Sequence, residues 1–278
     1  MDHDSTAAAP PLFGASLPAD AAAARQAVYD GAVFKCAASP ASLALAQRMH
    51  AAVQGALGAD ITSVHTRASF ADVYPPLTTL RQQIAASDDC RRAMADVMAA
   101  LGFDAAEFLF DDLRLRCVMN NGHLNTGAAK AYALHRDTWY GNPQSQINFW
   151  IPLHDVDASM AFTFYPEYFA RAIDNTSHGF DFLAWIEKTG WQGSKNVPDN
   201  DYPRATARPD GGGVTFSARA GDVIVFSAAH LHETTPNASG LTRFSLDFRA
   251  VHRDDHASGR GAPNADNGSR PDALRGYR

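Results

Sequence analysis

Downstream of Asp111 the chain changes texture: short runs rich in β-branched and aromatic residues alternate with clusters of Gly, Asn, Pro and Asp. Such a pattern reads as the strands of a sheet-based core. Strands are predicted over 113–119, 131–135, 146–152, 161–165, 213–217, 222–227 and 242–251. Upstream the period is helical. Leu45, Ala46, Met49 and Val53 recur at helical spacing over 42–57, with Ser42 as the expected N-cap, and Ser87-Asp88-Asp89 opens a second helix that stops at Gly102. A helical leader to about residue 110, followed by many short strands, gives a mainly β fold with flanking helices. It reads as a sandwich or barrel braced on one side.

Alternation within two strands separates their faces. Arg243, Ser245, Asp247 and Arg249 share one side, and Phe244, Leu246 and Phe248 the other. Gln146, Asn148 and Trp150 likewise alternate with Ile147, Phe149 and Ile151. If the apolar faces pack on helices, the polar faces point to solvent or line a barrel mouth, and a row combining Arg, Ser and Asp suits the second.

The 278 residues, 46% of them hydrophobic, suffice for one domain, predicted over 19–252 with a barrel core at 111–252. Residues 1–18 and 253–278 are polar and low in large apolar side chains, and are expected to be flexible arms. The long connection 166–212 reads as a lid-like insertion with a short helix at 180–188. A net charge of −6 with no basic cluster argues against nucleic-acid or anionic-membrane partners, which leaves a small-molecule substrate. A homodimer stays open. The N-terminus carries no positive charge before an apolar run, and no segment is apolar enough to span a bilayer. The widely spaced Cys36, Cys90 and Cys117 read as reduced thiols. A soluble cytoplasmic enzyme is expected.

The chemistry-bearing residues begin with His135-Arg136-Asp137, where the outer two side chains of an extended segment leave the same face. One His-x-Asp says little, since His252-Arg253-Asp254 repeats the spacing and such pairs are mostly surface turns. What distinguishes the first pair is its company. Gly221-Asp222 and the apolar run to Phe226 form a turn and buried strand that delivers His230 and His232, and Arg243 and Ser245 follow on one face of the next strand. Two histidines and a carboxylate form a donor set suited to Fe(II) with open coordination positions, with either His230 or His232 as the third ligand.

In this order the residues resemble the Fe(II)/2-oxoglutarate-dependent oxygenases, specifically their phytanoyl-CoA hydroxylase-like branch, over about 113–251. The resemblance implies a double-stranded β-helix, that is, a jelly-roll, cupin-like barrel. It implies His135, Asp137 and His232 as iron ligands, since the family's interval from distal histidine to arginine is eleven residues, as from His232 to Arg243, whereas His230 would leave thirteen. Arg243 and Ser245 would hold the distal carboxylate of 2-oxoglutarate, with O2 as co-substrate and succinate and CO2 as products. Asp137 stands where related halogenases carry a small residue and bind chloride, so the implied reaction is hydroxylation of a C–H bond. The substrate class expected is a small polar molecule such as an amino acid, a sugar derivative or a natural-product intermediate. Tyr165-Pro166-Glu167-Tyr168-Phe169 departs from the Pro-Gly-Ser-His turn of many relatives, which points to a different substrate pocket.

Strand parity adds Gln146 and Asn148 as residues positioning the co-substrate or ligands. Arg116, Asn120, Lys130, Trp139, Tyr140 and Trp150 are substrate-contact candidates, against ordinary roles as surface charge or core aromatics. The competing functions are a cupin-like divalent-metal hydrolase or isomerase and a non-catalytic small-molecule binder. Hydrolysis needs no dicarboxylate anchor, so Arg243 and Ser245 favour the oxygenase.

Overall fold

A computed structural model describes residues 12–58, 60–125, 129–189, 202–270 and 273–278. The first of these form a strand where a loose arm was expected: β1 (Phe13–Gly14) pairs in parallel with β2 (Val33–Cys36). Between them α1 (Ala21–Tyr29) starts at Asp20, whose carboxylate accepts from Ala23 N at 2.7 Å. Helix α2 (Pro40–Leu57) starts earlier than the sequence suggests. Ser39 is its N-cap and Ser42 the reciprocal partner of a capping box, while Pro40 sits where a missing N–H costs no helical bond. Helix α3 (Phe70–Ala85) was hidden by Pro75 and Pro76, which each remove a backbone donor. The Ser69–Asp72 capping box starts it, and burial of Val73, Leu77 and Ile84 holds it. Helix α4 (Asp88–Ala100) follows its predicted Ser87 cap.

The strands β3 (Phe108–Phe110), β4 (Arg114–Val118), β5 (Gln146–Pro152) and β6 (Phe162–Phe164) come next. After the short α5 (Phe182–Thr189) follow β7 (Val223–Ser227), β8 (His232–Thr234) and β9 (Arg243–His252). The large sheet has the order β1-β2-β7-β5-β9-β3, with β4 also pairing β9. The small sheet is β6 against β8, widened by single bridges from Val214 to Phe164 and from His135 to His232. Two predicted strands therefore shrink. Residues 131–135 give a 3-10 turn (Ala129–Tyr132) and the bridge at His135, and 213–217 give only the bridge at Val214.

The two faces of the large sheet do different work. Ile147, Phe149 and Ile151 from β5 and Phe244, Leu246 and Phe248 from β9 pack with α1–α4 into the main core, with Phe149 and Phe248 stacked at 4.7 Å. On the opposite face Trp150, Ile224 and Phe226 meet Phe162, Phe164 and Phe216 of the small-sheet side. Two packed sheets of this kind form the expected jelly roll, mainly β with flanking helices. The insertion 166–212 contributes α5 where a short helix was predicted; its residues 190–201 lie outside the described ones.

The segment after 252, expected to be a flexible tail, is tied down instead. Helix α6 (Arg253–Ala257) places Asp255 where its carboxylate accepts from Arg25 Nε at 2.6 Å and Tyr29 OH at 3.0 Å. Further on, Asp266 is buried against Arg136, and Arg278 exchanges two backbone bonds with Phe110. Polar composition misled because these side chains are satisfied by buried partners rather than by water. Among the described residues no helix is long and apolar enough to cross a membrane. Cys36, Cys90 and Cys117 are free thiols.

Candidate metal centre

His135 and Asp137 flank the start of a 3-10 turn (Asp137–Tyr140) that Gly141 ends at φ 79°, a conformation open to glycine. Asn142 Nδ2 donates to Asp137 O at 2.8 Å and fixes the turn. His232 opens β8, and two backbone bonds of 2.9 Å, one in each direction, join it to His135. The bridge between the sheet edge and the His-x-Asp loop thus sets the two imidazoles side by side, 4.4 Å between ring centres. Ligand atoms of His135, Asp137 and His232 all lie within 4.8 Å of one another, the one such cluster among the described residues.

Each ring's Nδ1 faces a backbone carbonyl, Ala133 O at 2.8 Å for His135 and His230 O at 2.9 Å for His232. A carbonyl only accepts, so Nδ1 carries the proton and Nε2 keeps its lone pair for a metal. Burial, then the neighbouring His135, pushes His232 down to about 4, which keeps the ring neutral. Burial alone would raise the Asp137 carboxyl, but Arg249 and the two histidines hold it well below its usual range. Arg249 Nη2 lies 3.4 Å from Asp137 Oδ1, and Asn148 Nδ2 donates to Oδ2 at 2.7 Å. Two imidazole nitrogens and a carboxylate converge with the geometry to bind a divalent cation.

His230 goes elsewhere. It is fully buried, packs on Phe164 and Phe169, and places Nε2 3.0 Å from Gly31 O. Burial, then His232, lowers it to about 3, as befits a packing histidine.

Arg243 lies deeper between the sheets, over the Trp150 ring at 5.7 Å, and Trp150 packs on Phe162, which packs on His232. Its Nη1 donates to Met160 O and Ala161 O at 3.0 and 2.9 Å, yet Nε is buried without a partner. No carboxylate among the described residues pairs with it, and burial lowers it to about 10. Ser245 Oγ accepts from Trp150 Nε1 at 3.0 Å, which leaves the serine proton free to donate. An unpaired buried guanidinium beside a free hydroxyl is a ready anion site.

The sequence profile of the phytanoyl-CoA dioxygenase family matches residues 31–245. The chain belongs to that family. It is accordingly an oxygenase of the non-haem Fe(II)/2-oxoglutarate type, and the triad and buried arginine fit those two groups. Similar solved structures include a non-heme monooxygenase, ThoJ in a nickel complex, at 16% identity over 78% of this chain and 71% of that one, TM-score 0.41. Others are EvdO2 from Micromonospora carbonacea with 2-oxoglutarate, at 14% identity over 64% of each chain and TM-score 0.40, and AviO1 from Streptomyces viridochromogenes. AviO1 is 17% identical over 90% of this chain and all of its own, TM-score 0.42. No curated protein matches the chain.

Against the family's site, the remaining sequence candidates divide. Gln146 and Asn148 are buried on β5 and bonded to each other, Gln146 also to Tyr277 and Asn148 to the Asp137 carboxylate. Trp139 is wholly buried and donates to Asp266, and Asn120 accepts from Gly240 N in a turn. The Lys130 side chain lies outside the described residues. Arg116, half-exposed, pairs with Asp247 at 2.5 and 3.0 Å, and Tyr140 stacks on His135 at 5.1 Å with Tyr202 behind it. Trp150 serves Ser245 and Arg243. Sequence reasoning missed Arg249, although its parity with Arg243 was a usable signal. It also missed Asp266 and Tyr277, for which no local signal exists.

Proposed function

We propose that this oxygenase hydroxylates a C–H bond of a small polar molecule, with 2-oxoglutarate converted to succinate and CO2, one oxygen atom of O2 entering succinate and the other the new hydroxyl group. The observation that carries the reading is the unpaired Arg243 within the same interior as the triad. A hydrolase or isomerase would leave this buried cation without a purpose. His135 Nε2, His232 Nε2 and Asp137 Oδ1 would hold Fe(II), and Arg243 and Ser245 would take the distal carboxylate of 2-oxoglutarate. When bound, the iron and keto acid supply the oxidising power for C–H cleavage.

The chain's own part is orientation and exclusion of water. Asn148 occupies Asp137 Oδ2, so one carboxylate oxygen is left for the metal and the other open positions remain for co-substrate and O2. Phe162, Phe164, Phe216 and Phe226 wall the interior with apolar surface. The presence of Asp137 leaves no halide position, which favours hydroxylation. At the mouth, the Arg116–Asp247 pair and the Tyr140–Tyr202 rings offer charge of both signs and flat apolar surface to a polar substrate.

The test is an anaerobic titration of Fe(II)-loaded protein with 2-oxoglutarate, followed by its visible metal-to-ligand charge-transfer band. The band is expected in the wild type and lost in Arg243→Ala at the same concentration. Iron-loaded protein without the band would overturn the reading. Succinate release then screens amino acids, sugars and other polar candidates.

A further inference from the structure

A hydrogen-bond chain reaches the triad from far along the sequence. Tyr277 OH donates to Gln146 Oε1 at 2.6 Å, Gln146 Nε2 donates to Asn148 Oδ1 at 2.8 Å, and Asn148 Nδ2 donates to Asp137 Oδ2 at 2.7 Å. Gln146 and Asn148 lie on one face of β5, fully or nearly fully buried. Tyr277 is held in place by neighbours: Arg278 exchanges backbone bonds of 2.9 and 3.0 Å with Phe110, and Tyr277 N donates to Leu274 O at 2.9 Å.

The chain has a direction. An amide side chain presents a donor at one end and an acceptor at the other, and nothing in its shape tells the two apart. The carboxylate of Asp137 only accepts, so it takes the Asn148 nitrogen and the order of the whole chain follows, ending on a phenol whose proton burial and the nearby Asp111 keep in place. Gln146 must turn its oxygen to the tyrosine and its nitrogen to Asn148, and Asn148 must then turn its nitrogen to Asp137. Reversing either amide would set an oxygen against the carboxylate.

We infer that Tyr277 is a positioning residue for the metal centre: through Gln146 and Asn148 it fixes which oxygen of Asp137 is free to bind the ion. This rests on the metal-centre reading above. With the relay intact Oδ2 is engaged by Asn148, while Oδ1 lies 3.5 Å from His135 Nε2 and 3.4 Å from Arg249 Nη2, so an ion beside the two histidines would be held through Oδ1. With the relay broken Asn148 loses its fixed orientation, and the carboxylate, held then by Arg249 at Oδ1 alone, would offer both oxygens to the ion and close a position the co-substrates need.

The experiment uses Co(II) alone as a spectroscopic probe on the full chain, comparing wild type with Tyr277→Phe and Gln146→Glu. Tyr277→Phe removes only the hydroxyl. Gln146→Glu still accepts from the tyrosine but has no N–H to give, so Asn148 must reverse its amide. Both variants are expected to change the shape of the Co(II) visible bands and to weaken Co(II) binding about 10-fold, the scale for partners behind a metal ligand. Unchanged bands and affinity in Tyr277→Phe, whether or not its Tm falls, overturn the relay. If that variant proves insoluble, Gln146→Glu decides on the same two readouts. Wild-type protein that binds no Co(II) would instead overturn the metal-centre reading, and the relay with it.

Discussion

Arg243 is a residue whose stability and function pull in opposite directions. A buried guanidinium with two backbone carbonyls, an aromatic face and an orphaned Nε is poorly compensated, and burying charge costs free energy unless it is paired. Arg243→Met is therefore expected to keep or raise the Tm of the ligand-free protein while abolishing the further rise that 2-oxoglutarate gives. Differential scanning fluorimetry with and without 2-oxoglutarate checks both halves, and a large loss of Tm without ligand would show that the cation is better satisfied than its contacts indicate. Arg136 is the contrasting case. It is 2% exposed, pairs with Asp266 at 2.9 Å, and donates to Ala229 O, Tyr168 O and Arg171 O at 2.6, 2.7 and 2.8 Å. The middle residue of His-x-Asp thus ties the metal loop to three other segments.

At the scale of the element, β9 shows how one strand serves two cores. Its even-numbered residues Phe244, Leu246 and Phe248 are wholly buried against the helices, and its odd-numbered Arg243, Ser245 and Arg249 face the interior that holds the triad. Phe248→Ala should cost about 3–5 kcal/mol, since it removes a fully buried ring stacked on Phe149. Urea unfolding measures this, and the folded fraction should bind Co(II) with wild-type affinity. This division was legible in the sequence because side chains alternate across a strand whatever the sheet pairs with. The 131–135 segment was not legible in the same way. Its single bridge to His232 depends on where β8 begins, which no local pattern encodes.

For the whole molecule, the segment after His252 acts as a strap. It supplies Asp255 to Arg25 and Tyr29, Asp266 to Arg136 and Trp139, and Tyr277 to Gln146. Removing residues 253–278 would leave buried Arg25 and Arg136 without their carboxylates, and breaking a buried pair costs about 3–5 kcal/mol. Two such losses are a large fraction of the stability of an ordinary domain. The truncated chain is expected to be insoluble or to melt far below the full one, as solubility and Tm after expression would show. A truncated protein with wild-type Tm would mean that water replaces those partners at no cost.

The sequence by itself determined the helical leader, the strand-rich second half and the two-faced character of β5 and β9, and the family resemblance it carries implied His135, Asp137, His232, Arg243 and Ser245 as the site. The first three follow from local rules: periodicity and side-chain alternation. Only the tertiary structure decided that His230 is a packing histidine bonded to Gly31, that Arg249 and Asn148 hold the carboxylate, and that the polar tail is bound rather than loose. The reason is physical. A polar side chain reads the same in a sequence whether water or a buried partner more than a hundred residues away satisfies it, and folding alone brings that partner within reach.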